Sequence, residues 1–201
     1  MIKLISIFEK PEMKRQLKEL YFRSFPKEER VPWFFMKAKS RKDGANLYGV
    51  YDGDTFVGLV HEVYFRDITY VFFLAVSPML RGKGYGGAVL GEIKRKNEGR
   101  RVILNIETLD EECDNCEERV RRKNFYLKNG FNEAGYKTRE NNVVYEMLYY
   151  GGIVSEEEYS ALIEKYLGKF FFKFYYKKIG KNDNFTRSGQ GRTDEQATRD
   201  L

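Results

Sequence analysis

The sequence predicts an α+β (mixed α/β) fold, a mostly antiparallel central sheet flanked by helices, with a C-terminal helical extension. Three observations carry that prediction. Two β-rich runs flank an Asp-Gly turn at Asp52-Gly53, which reads as an antiparallel hairpin. An almost wholly apolar run, Thr69 to Val76, reads as a central strand buried on both faces. A glycine cluster then opens a helix that leads to one further strand, giving a single crossover among antiparallel neighbours.

The elements follow in order. Ile2 to Phe8 alternates apolar and polar residues and forms a first strand. Pro11 opens a helix with Met13, Leu17, Leu20 and Tyr21 on one face, and Pro26 closes it. A second helix starts near Pro32 and fades by Asp43-Gly44. The hairpin spans Leu47 to Tyr51 and Phe56 to Phe65. The helix of the glycine cluster runs to about Asn97, and Val102 to Ile106 is the next strand. An acidic loop from Leu109 to Asn115 precedes a helix ending at Asn129-Gly130, and the strands Phe131 to Tyr136 and Val143 to Tyr149 complete the sheet. Ser155 and Glu158 have capping-box spacing before the stripe Tyr159, Leu162, Ile163, Tyr166, Leu167 and Phe170. The expected organisation is a main domain over 1–150, an aromatic helical extension over 151–180, and a disordered polar tail over 181–201.

The chain has 201 residues, 42% hydrophobic and 33% charged, which suits one domain with a sizeable core. It holds no apolar run of the roughly 20 residues that a membrane helix needs. Charge at Lys3, Glu9 and Lys10 comes too early for a secretory leader, so the cytoplasm is the expected location and no membrane partner is expected. The net charge of +6 suits an anionic partner without choosing among nucleic acid, membrane surface and a phosphate-bearing cofactor.

The segment Arg81-Gly82-Lys83-Gly84-Tyr85-Gly86-Gly87 is the feature that narrows this choice. Glycines there leave backbone N–H groups exposed beside a helix N-terminus, an arrangement that grips a phosphate or diphosphate. Gly82, Gly84 and Gly87 also satisfy the dinucleotide string G-x-G-x-x-G, with Glu107 at a fitting distance for a ribose contact. That reading is disfavoured because Ser77 to Arg81 separate the strand from its first glycine, and the preceding strands read as hairpins. A kinase loop lacks its later motifs, and a Walker A loop lacks its Lys-Ser or Lys-Thr ending.

Arg81 to Gly86 resembles the R/Q-x-x-G-x-G/A signature of the GNAT superfamily of acyl-CoA N-acyltransferases. Leu74-Ala75-Val76-Ser77-Pro78 resembles that family's cofactor-facing strand, and Asn124 to Phe131 is similar to its F-Y-x-x-x-G-F helix and turn. The resemblance covers roughly Ile2 to Tyr149. It implies acetyl-CoA as acetyl donor, no metal, and direct attack by an acceptor amine in a ternary complex. The pantetheine arm would lie between Thr69–Val76 and Val102–Ile106, bonded by backbone groups of Leu74 and Val76. The implied cofactor-binding residues are Leu74, Ala75, Val76, Arg81, Gly82, Lys83, Gly84, Tyr85, Gly86, Gly87 and Asn124. Tyr126 matches the family's tyrosine acid, since a phenol keeps its proton at neutral pH. Glu107, at the end of its strand, is the first candidate base. Glu28, Glu29 and Glu62 are weaker ones.

Other features receive plainer readings. Cys113 and Cys116 have C-x-x-C spacing, but zinc needs about four ligands, and acidic neighbours raise thiol pKa rather than lower it. Cys116 is read as an apolar helix position. His61, the single histidine, could serve as a base but is read as an ordinary sheet-surface residue. The basic stretch Arg119, Arg121, Arg122 and Lys123 is a solvated helix face or reaches the cofactor's phosphates. Phe170 to Lys178 is aromatic nearly all round; it packs on its own domain or forms a homodimer interface. Two other functional readings stand beside the enzyme, a non-catalytic acyl-CoA-binding regulatory domain and a basic nucleic-acid-binding protein. The acceptor's class is not legible. Pro26 to Phe35 and Phe65 to Thr69 are its expected surroundings, with Trp33, Phe34 and Phe35 as an apolar wall.

Overall fold

The structure is a computed structural model that describes residues 1–27, 29–41, 44–109, 115–140, 143–169 and 172. Its elements in chain order are β1 (Ile2–Ser6), α1 (Lys14–Ser24), α2 (Trp33–Lys39), β2 (Ala45–Asp52), β3 (Thr55–Phe65), β4 (Ile68–Val76), α3 (Tyr85–Lys96), β5 (Arg101–Glu107), α4 (Cys116–Lys128), β6 (Asn132–Glu140), β7 (Val143–Tyr150) and α5 (Glu156–Leu167). A 3-10 turn at Pro11–Met13 leads into α1, since a proline at that position sacrifices no helical N–H. α2 stops earlier than expected, where the Ser40 hydroxyl bonds back to the Met36 carbonyl at 2.9 Å.

The strands form one sheet in the order β1-β2-β3-β4-β5-β7-β6. All neighbours are antiparallel except β4 and β5. The period of two along the strands sends alternate residues to opposite faces. One face buries Val50, Val60, Val71, Leu104 and Leu148 under α3 and α4. The other buries Leu47, Leu59 and Phe73 under α1 and α2, and Val63, Tyr70, Ile103 and Met147 under α5.

Two irregularities at the centre set up everything that follows. Pairing of β4 with β5 is confined to Ile68–Tyr70 against Arg101–Ile103. From Val71 and Leu104 onward the two strands part. Next to the fork, His61 of β3 pairs with Phe73 while Glu62 pairs with Val71, so Phe72 is an extra residue in β4. Such a bulge breaks strand alternation and sends two successive side chains to one side. Phe72 and Phe73 accordingly stack at 4.6 Å with their planes 19° apart. The closed end of the fork is fastened by arginines. Arg101 meets Asp67 at 2.7 Å and Glu158 at 2.7 Å, and Arg100 donates to the Ile68 carbonyl at 2.7 Å and to the Thr69 hydroxyl at 2.8 Å.

The segment after 150, expected as an extension beyond the main domain, shares the sheet's core in its described part. The Ser155–Glu158 capping box starts α5 as anticipated, and Tyr159, Leu162, Ile163, Tyr166 and Leu167 are all buried against the sheet. The apolar stripe is thus occupied by the protein's own strands and leaves no such face on α5 for a homodimer. Phe170, Phe171 and the remainder of the aromatic run from Lys173 on, with the tail over 181–201, lie outside the described residues.

His61 corrects a second expectation. It is fully buried, with Nδ1 3.0 Å from the Asn46 carbonyl and Nε2 2.9 Å from the Tyr166 hydroxyl. A carbonyl only accepts, so Nδ1 carries the proton and Nε2 accepts from Tyr166. Burial pushes the imidazole pKa down to about 4, with the Asn46 bond opposing.

Two expectations follow. Leu162→Ala is expected to destabilise the protein by about 2–5 kcal/mol in urea titration, because it hollows the core under α5. An unfolded histidine takes its proton near pH 6.5. The stability from neutral His61 is therefore complete above that pH and lost as pH falls toward 4. Wild type is expected to lose about 2 kcal/mol more than His61→Gln between pH 7 and pH 5 in the same titration.

Candidate active site

The fork between β4 and β5 opens into a cavity of about 1190 Å3. Val71 to Val76 form one wall and Leu104 to Glu107 the other, with the glycine turn at one end and the segment between α1 and α2 at the other. Because the two strands no longer pair with each other beyond Tyr70 and Ile103, β4 offers a backbone edge to a ligand that can imitate a strand.

The glycine turn is built for an anion. Gly82 and Gly84 adopt φ of +76° and +81°, and Gly84 is the N-cap of α3. The first helical bond runs from the Ala88 N–H to the Gly84 carbonyl at 3.2 Å. Among the described residues, the amides of residues 82 to 87 donate to no backbone carbonyl. Gly86 and Gly87 serve a different need. A Cβ at Gly86 would lie 3.0 Å from the Phe125 ring, and one at Gly87 would lie 3.2 Å from Asn129 Oδ1, so their absence lets α4 close over α3. A long acyl carrier with a diphosphate fits this arrangement of free amides, narrow trough and unpaired strand edge.

Not every anticipated binding residue reaches the cavity. Leu74, Ala75, Val76, Arg81, Gly82, Gly84, Gly86 and Gly87 line it. Lys83, Tyr85 and Asn124 do not. The Tyr85 hydroxyl turns toward Asp52 Oδ2 at 3.4 Å, and Asn124 is on the exposed side of α4. From α4, Glu118, Arg121, Arg122, Phe125 and Tyr126 line the cavity, and of these Tyr126 is the one that is buried.

Tyr126 packs edge-on against Phe125 at 5.2 Å and Phe131 at 5.8 Å. Its hydroxyl has no hydrogen-bond partner among the described residues and is not sealed from solvent-accessible space. Burial raises the phenol above the ordinary tyrosine range, and the Arg122 charge pulls it part of the way back. Glu107 is also at the wall, but one oxygen meets Arg119 at 3.1 Å and the other meets Arg122 at 3.1 Å. Both of its carboxylate oxygens are thus engaged by arginines of α4. The pairings also show part of the basic stretch of α4 bound to a carboxylate rather than solvated.

The remaining candidates separate clearly. Glu62 is fully buried away from the cavity, where it meets Lys96 at 3.2 Å and Asn97 at 2.9 Å and accepts from Tyr64. Glu29 lines the acceptor end, and Glu28 is outside the described residues. Phe34 and Phe35 line the cavity, whereas Trp33 packs against Tyr21 at 5.8 Å. Cys116 opens α4 partly buried and disulfide-bonded, not as a plain apolar position, and Cys113 is outside the described residues. Among the described residues, no three His, Cys, Asp or Glu side chains gather as a metal site would require, and no helix is long and apolar enough to cross a membrane. Asn105, Phe125 and Tyr145 line the cavity without having been singled out in the sequence. Asn105, two residues before Glu107 on the same strand, was open to discovery by strand parity alone.

The family model described as an acetyltransferase (GNAT) domain matches residues 43–133. YjbC of Bacillus subtilis (strain 168), an acetyltransferase by name, is 31% identical over 142 residues, covering 67% of this chain and 69% of that protein. A Bacteroides thetaiotaomicron structure that is a GNAT-family acetyltransferase by name superposes with a TM-score of 0.67 at 24% identity, covering 82% of this chain and 94% of the other. A Bacillus subtilis acetyltransferase crystallised with CoA gives a TM-score of 0.51 at 16% identity, covering 74% and 95%.

Gly84→Ala is expected to cost about 1–2 kcal/mol of stability, since a Cβ is strained at this φ. It is also expected to weaken CoA binding by calorimetry, whereas a substitution at exposed Lys83 has the smaller effect of a lost surface charge.

Proposed function

Because the chain belongs to the GNAT family of acetyltransferases, we propose that this acyltransferase moves an acetyl group from acetyl-CoA to an acceptor amine by direct attack in a ternary complex. The observation that carries the reading is the parting of β4 and β5 above a turn of unpaired amides. The amides of Gly82 to Gly87 hold the diphosphate, with Arg81 adding charge at the mouth. Backbone groups of Leu74 and Val76 hold the pantetheine amides along the free edge of β4, and the Val76 N–H faces the charge that develops on the carbonyl oxygen. Acetyl-CoA supplies a thioester, whose carbonyl an uncharged amine attacks.

An alkyl ammonium loses its proton near pH 10.4, so the reactive amine is a minor form at neutral pH and its orientation matters. As the C–N bond forms and the C–S bond breaks, the Tyr126 phenol gives its proton to the departing sulfur. The acylated nitrogen releases its extra proton to solvent, and the phenolate recovers a proton from solvent. Burial favours the neutral phenol, which is the form an acid requires. Glu107 is assigned to holding Arg119 and Arg122 along the cavity rather than to accepting a proton.

Incubation with acetyl-CoA and a panel of amines, following free thiol, is expected to show release that depends on both substrates. Binding of CoA without thiol release from any amine contradicts the reading. Tyr126→Phe is expected to lower kcat about 100-fold or more while leaving the acetyl-CoA KM within about twofold. Because burial raises its pKa, the phenol imposes no alkaline limb on the pH–rate profile below the ordinary tyrosine range.

A further inference from the structure

The arginines at the cavity wall fall into two groups. Arg122 is paired with Glu107 and Glu118, and Arg121 with Glu117. Arg81 and Arg30 have no ion-pair partner among the described residues. Arg81 lies at the glycine turn, where a diphosphate matches its charge. Arg30 lies in the segment between α1 and α2, at the acceptor end, where nothing yet matches it.

Arg30 is held in place rather than trailing in solvent. The Tyr21 hydroxyl donates to the Val31 carbonyl at 2.8 Å, and Phe25 packs on Phe73 at 4.7 Å, so both sides of the segment are fixed. The guanidinium rests over the Phe22 ring at 5.0 Å. Its Nε is buried without a hydrogen-bond partner, and so is the Ser24 hydroxyl, which lines the same cavity. Buried donors of this kind are costly unless something accepts from them. Glu29 does not resolve the imbalance, because it is engaged by another group.

We infer that the acceptor carries a carboxylate beside its amine, received by Arg30 and Ser24, with an apolar substituent against Phe25, Val31, Phe34, Phe35 and Leu167. The inference rests on the acyltransferase reading and names the substrate class of the same site. A guanidinium presents a planar fork that matches a carboxylate with two parallel bonds. The hydroxyl adds a third donor. The chemical class is a free α-amino acid with an apolar side chain, or a close aminocarboxylate analogue. A polyamine would bring further positive charge to an arginine that lacks a counter-ion.

The test compares an apolar α-amino acid, its carboxamide and spermidine as acceptors, by thiol release at fixed acetyl-CoA. The amino acid is expected to have a KM about 10- to 100-fold below that of the carboxamide, the range for a charge-assisted bond. Arg30→Met is expected to shrink that preference to about threefold or less with the acetyl-CoA KM held within about twofold, and Arg30→Lys to retain part of it. Spermidine or the carboxamide used as well as the acid overturns the proposal, as does a preference that survives Arg30→Met.

Calorimetry separates this idea from the reading beneath it. Should no amine be acetylated, titration of the amino acid into CoA-saturated protein still decides. Binding lost in Arg30→Met upholds the carboxylate site while the transferase reading fails. No binding at millimolar amino acid overturns the site itself.

Discussion

The structure depends on one constraint, that β4 and β5 pair at one end and separate at the other. A parallel pair that stayed closed would bury both strands and leave no edge for a ligand. Here pairing ends after Tyr70 and Ile103. Arg100 and Arg101 fasten the closed end, while the extra residue at Phe72 alters the course of β4 where the strands diverge. The open end is therefore built into the fold, since both the strand pairing and the ion pairs lie at the closed end.

The other elements can be understood as supports for that opening. α3 brings its N-terminal amides to the mouth, and Gly86 and Gly87 allow α4 to approach closely enough to place Tyr126 at the wall. α5 secures the opposite face. Glu158 reaches Arg101, and Tyr166 stacks edge-on with Phe72 at 5.6 Å and bonds to His61. A segment outside the span of the family model thus braces the strand that bulges beside the site. The polar chain Tyr159–Tyr70–Asn105, with contacts of 3.4 and 2.8 Å, ties α5 to the cavity wall at the point of divergence.

Much of this was legible in the chain because local signals carry it. Alternation in Leu47 to Tyr51, the Asp52-Gly53 turn, the Ser155–Glu158 box and the glycine spacing each act within a few residues. The bulge was not legible, since Phe72-Phe73 in an uninterrupted apolar run offers no alternation to break. Nor was the fate of Glu107, because its arginine partners come from a separate helix. His61 looked like an ordinary sheet position for the same reason, its second partner being 105 residues away. Asn124 was chosen by motif alone, and the helical turn puts it on the exposed side of α4 while Phe125 and Tyr126 line the cavity.

The central claim is that a diphosphate-bearing ligand occupies unpaired amides and a free strand edge. Amide hydrogen exchange resolved by residue, with and without CoA, tests it most directly. Exchange at residues 82 to 87 should be fast in the free protein and slow markedly with CoA, along with part of the β4 stretch after Val71, while Ile68 to Tyr70 are protected in both states. Protection already present without ligand, or unchanged by saturating CoA, would contradict the account.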